Sequence, residues 1–140
     1  MSTGARRLFT REEVDALIPR LSDIVGRAMD HQRQALALKE HLEEEGARIQ
    51  QSGGGLIDQR DWKARAERLD GLGIELRAAV EAIEGMGGVI KGLEQGLVDF
   101  PGRVAARGDE VVNLCWKYGE TAVRFWHGMD EGFAGRKPLP

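Results

Sequence analysis

Four residues in the second half of this 140-residue chain carry side chains suited to binding a metal or doing chemistry: Asp99, Cys115, Glu120 and His127. A thiolate and an imidazole suit a divalent ion such as Zn or Fe, and a carboxylate can complete the set. Their spacing matches none of the standard zinc patterns. The plainer reading is a small buried cysteine, a turn carboxylate and a histidine hydrogen-bonded at a strand end. Cys115 and His127 also pair a nucleophile type with a base type. The sequence offers no oxyanion site or substrate pocket to go with them, so that reading ranks below metal binding.

These residues sit where the pattern reads as β-structure. After Gly88 the hydrophobic period drops towards 2, and six of the eight aromatics lie there. Val89–Lys91 and Leu97–Phe100 read as short strands. Glu110–Trp116 and Thr121–His127 read as a hairpin around Lys117–Glu120. Pairing Trp116 with Thr121 sets Leu114 opposite Val123 and Val112 opposite Phe125 on one apolar face. Cys115 and His127 then face opposite ways, and a one-residue slip or a bulge would reverse that. In this register Trp126 shares the outer face with Asn113 and Arg124, a candidate contact surface for a partner. The tail from Gly128 to Pro140 has no periodicity. Gly132–Arg136 is expected to fold back, with Phe133 as anchor and Arg136 pinned to Asp99 or Glu120. Its backbone N–H groups and guanidinium are also a weaker candidate for an anion, and Arg136 belongs to the candidate contact surface.

The first half must support that sheet, and it reads as two long helices. Thr10 and Glu13 spell a capping box, with Phe9 and Val14 placed as a hydrophobic staple. From Val14 to Leu42 apolar residues recur at steps of 3 and 4, a coiled-coil-like stripe that includes His31 and resumes at Ile49 after a gap at Glu45. Pro19 is expected to bend this helix. Ser52–Gly55 ends it, and a second stripe runs from Trp62 to Ile83 before Gly85–Gly88. A helix of about 40 residues spans roughly 60 Å, more than a short partner covers. A homodimer of paired hairpins is therefore expected.

Composition narrows the function classes. A formal net charge of −3, from 20 Lys+Arg against 23 Asp+Glu, argues against nucleic-acid binding. No apolar run is long enough for a membrane span, and the N-terminus has no signal-peptide h-region. The single cysteine forbids an internal disulfide and fits a cytoplasmic setting. Eleven of the 19 glycines fall after residue 84, mostly where turns are needed.

Five strings occur in one order: Phe9-Thr-Arg-Glu-Glu13, Gly96-Leu-Val-Asp-Phe-Pro101, Leu114-Cys-Trp-Lys-Tyr-Gly-Glu120, Phe125-Trp-His127 and Gly132-Phe-Ala-Gly-Arg136. Together they resemble the bacterial domain-of-unknown-function family 2203 over roughly Phe9 to Leu139. Relatives often carry Glu-Ala-Asn where this chain has Glu13-Val14-Asp15. The resemblance implies a small bacterial protein of helix-plus-sheet build and brings no established activity.

The expectation is an α+β single domain. A long antiparallel two-helix hairpin (9–86) precedes a small antiparallel β-meander (89–127) and an irregular tail (128–140). The leading function class is a non-enzymatic interaction or structural protein that self-associates through its helices. The competing class is a divalent-metal-binding protein or small metalloenzyme using Asp99, Cys115, Glu120 and His127.

Overall fold

Thr10 and Glu13 close the reciprocal cap expected of them. The Thr10 N–H donates to Glu13 Oε1 at 2.9 Å, and the Glu13 N–H donates to Thr10 Oγ1 at 3.1 Å. From this start α1 (Arg11–Gln51) runs without interruption through Pro19. A computed structural model describes residues 7–51 and 59–140. The Ser52–Gly55 turn therefore lies outside the described residues.

The second helix, α2 (Gln59–Gly85), packs antiparallel on α1. Arg68 donates to Gln34, and Trp62 approaches Gly46 near the far end. His31 is half-buried in the groove where Ile24 and Ala28 meet Ala78 and Ala82. The buried residues of α1 are Val14, Ile18, Leu21, Val25 and Ala28, all in its first half. Packing therefore concentrates where the helices meet the sheet.

Five antiparallel strands follow in simple meander order: β1 (Val89–Gly92), β2 (Leu97–Gly102), β3 (Val112–Lys117), β4 (Phe125–Gly128) and β5 (Lys137–Pro138). Val98, Phe100, Val112, Leu114, Trp116 and Trp126 line the sheet face that packs on α1 and Ile83 of α2. Burying such side chains contributes about 1.5–3 kcal/mol each. The fold is the α+β hairpin-plus-meander that the periodicities indicate, with one strand more. The tail supplies β5, which its lack of alternation hides.

The β3–β4 register departs from the expected one. Leu114 faces Trp126 and Cys115 faces Phe125, three positions from the expected partners. An odd displacement turns every side chain of one strand to the other face. The cause lies in Thr121–Arg124, which forms no strand. The Val123 N–H donates to Asp15 Oδ1 of α1 at 2.7 Å, and the Val123 side chain is fully buried. A helix contact thus takes the segment that would have extended the hairpin. Glu120 tightens the turn before it. Its carboxylate accepts the Lys117 N–H at 2.8 Å, and its carbonyl accepts the Trp116 indole N–H at 2.9 Å.

Candidate metal centre

The register builds one polar patch on the sheet face away from the helices. Asp99 and Cys115 are direct partners across β2 and β3, and Asn113 and His127 are partners across β3 and β4. Alternation puts all four on one face. Asp99, Cys115 and His127 are 1%, 1% and 3% exposed. One ligand atom from each lies within 4.8 Å of the other two.

The proton on His127 is placed by its neighbour. Nδ1 lies 3.0 Å from the Gly128 carbonyl oxygen, which only accepts, so Nδ1 carries hydrogen. That leaves Nε2 facing Asp99. It lies 3.1 Å from Asp99 Oδ2, a close approach without hydrogen-bond geometry. Both Asp99 carboxylate oxygens are buried and make no hydrogen bond of good geometry among the described residues, although the Cys115 thiol and His127 Nε2 lie against them. Buried carboxylates are rarely left that way.

Burial pushes the Cys115 thiol up to about 11, and the neighbouring Asp99 charge pushes the same way. Arg136 opposes both. Such a thiol is a poor nucleophile without a metal, because reactivity needs the thiolate. The Cys–His nucleophile reading loses its support here.

Arg136 covers the cysteine side of the patch. Its guanidinium donates to Glu120 Oε1 at 2.6 Å and to the Cys115 carbonyl at 3.3 Å. It lies 4.1 Å from the Phe125 ring centroid and 4.9 Å from that of Phe133. Burial disfavours its charge, but the hydrogen bonds to Glu120 and Cys115 outweigh that and hold its pKa above the ordinary arginine value. The tail is thus pinned through Arg136 to Glu120, one of the two carboxylates expected.

Three of the four candidate ligands converge. Glu120 does not join them, because Arg136 and the Lys117 N–H occupy its carboxylate. The expectation that Cys115 and His127 face apart is corrected by the register. So is the expected contact surface. Trp126 is 5% exposed in the core, while Arg124 stays exposed and Arg136 is half-buried in the tail clasp. Sequence reasoning missed Asn113 as a neighbour of His127, although a polar residue two before Cys115 signals one face. It also missed Glu131, whose carboxylate accepts Lys137 Nζ at 3.0 Å and the Gly128 N–H at 2.8 Å.

Among the described residues no helix is long and apolar enough to cross a membrane. Neither the curated proteins nor the solved structures contain a match to the chain. A family model described as "Uncharacterized conserved protein (DUF2203)" matches residues 7–139, covering the helices, the sheet and the polar patch alike. The chain belongs to the DUF2203 family of uncharacterised conserved proteins.

Proposed function

We propose that this protein binds one divalent transition-metal ion, Zn2+ or Fe2+, through Asp99, Cys115 and His127. The observation that carries the reading is the convergence of three buried donors, with both Asp99 oxygens lacking a hydrogen bond of good geometry among the described residues. The donor set is chemically suitable, since thiolate, imidazole and carboxylate all serve these ions. Metal–ligand bonds of about 2.0–2.3 Å are typical of such sites, so modest side-chain movements from a 4.8 Å cluster would close one. Charge also balances. A thiolate and a carboxylate neutralise a divalent ion, and Arg136 is already matched by Glu120. A reducing cytoplasm would keep the single Cys115 in its unoxidised form.

Metal analysis and Co2+ titration of the purified full chain test this. One equivalent is expected, with a thiolate-to-cobalt charge-transfer band that Cys115→Ser abolishes. No bound metal, and no binding of Zn2+ or Co2+ at micromolar concentration, would leave Asp99 and His127 as a buried ion pair and end the proposal.

A second reading, self-association through the helices, rests on a different observation. No described residue of α1 beyond Ala28 is buried, and Leu36 and Ile74 are 51% and 65% exposed. Hairpins paired into four helices would cover this length. Sedimentation at micromolar concentration tests it: a dimer weakened by Leu36→Glu supports it, and a monomer removes it.

A further inference from the structure

Three protein donors leave one position of a tetrahedral ion to be filled. Asn113 is placed to fill it. It stands opposite His127 in the β3–β4 register and two residues before Cys115, on the same face as both. Directly opposed residues in an antiparallel pair bring their Cβ atoms within about 4.5–5.5 Å. The side chain is 5% exposed. On its other side the register partner is Pro101, which has no polar side-chain atom to offer.

We infer that Asn113 Oδ1 is the fourth donor to the metal held by Asp99, Cys115 and His127. This rests on the metal-binding reading above. A neutral amide oxygen completes the shell without adding charge, so the thiolate and carboxylate still balance a divalent ion. Its second amide atom, Nδ2, remains a donor and can fix the orientation of Oδ1.

Co2+ titration of the full chain separates the claims, because thiolate charge-transfer and ligand-field bands report different things. Asn113→Val removes the oxygen and suits a strand, while Asn113→Asp keeps an oxygen donor at the same place. The expected result for Asn113→Val is a Co2+ affinity lower on the order of ten-fold or more. Its ligand-field bands should change while the charge-transfer band persists. Asn113→Asp should stay close to native affinity. Native affinity and an unchanged spectrum in Asn113→Val would overturn the inference, and so would an equal loss in both variants. Absence of the charge-transfer band in the native chain would instead overturn the metal reading, and this inference with it.

Discussion

Asp99 Oδ2 and His127 Nε2 lie 3.1 Å apart although their strands are not neighbours, since β3 runs between them. The contact is diagonal. Asp99 leans from β2 and His127 from β4 over the strand that carries Cys115. An aspartate and a histidine placed this way can share a cation with the thiol below. Three consecutive strands therefore each contribute one donor, and any change of pairing between them separates the set.

The raised Cys115 pKa has a measurable sign. Burial pushes the folded thiol up to about 11, from an ordinary value of 9.0. Above pH 9 the unfolded chain releases this proton first, so the folded state binds more protons. The contribution to stability is present below pH 9 and is lost as pH rises towards 11. Urea melts of metal-free protein at pH 8 and pH 10 should differ by roughly 1 kcal/mol from this group. Cys115→Ala should show that much less decline, and equal slopes in the two proteins would contradict the burial of the thiol. Iodoacetamide should likewise label Cys115 slowly at pH 8 until urea unfolds the chain.

Arg136→Ala should loosen the tail. It removes the Glu120 partner and two ring contacts at once. Breaking a mostly buried pair leaves the other charge uncompensated. Because the Glu120 side chain is 20% exposed, a loss of about 2 kcal/mol is expected rather than the full buried-pair value. Arg136→Lys should recover only part of this, since a lysine lacks the planar guanidinium that lies on the rings. A chemical-denaturation midpoint unmoved by Arg136→Ala would show that the clasp holds nothing.

Gly87 sits at φ +97°, and a Cβ there would come within 2.4 Å of the Phe9 ring. Gly87→Ala should cost about 2 kcal/mol or more, combining backbone strain with displacement of the staple residue. Gly119 has φ +100° with nothing within 4 Å of the added atom. Gly119→Ala should therefore cost about 1 kcal/mol, from the backbone alone. Thermal melts of the two variants distinguish the terms, and equal losses would remove the role of Phe9.

The helix start was fully legible because its cues are local. Thr10 and Glu13 satisfy each other within four residues, and Phe9 and Val14 are both buried as a staple requires. The strands of the meander were legible from alternation. The site was half legible. Residue type identified Asp99, Cys115 and His127, but a tight-turn hairpin placed Cys115 and His127 back to back. What decides their facing is the bond from Val123 to Asp15, a contact across 108 positions that no local pattern records. The strand at Lys137–Pro138 escaped notice for a similar reason. Two residues cannot show a period, and pairing with Phe125 and Trp126 alone defines them.

If the three side chains hold a metal as proposed, the Asp15–Val123 bond links that site thermodynamically to the helix. The sheet can present its three donors together only while α1 holds the loop before β4 in place. A metal that binds this arrangement and not the unfolded chain adds about 2.7 kcal/mol of stability at one hundred times its dissociation constant. By reciprocity, whatever loosens the N-terminal turns of α1 would then lower metal affinity, although Asp15 lies outside the proposed donor set. Occupancy of the site would then act as a gauge of helix docking, read from the far side of the sheet.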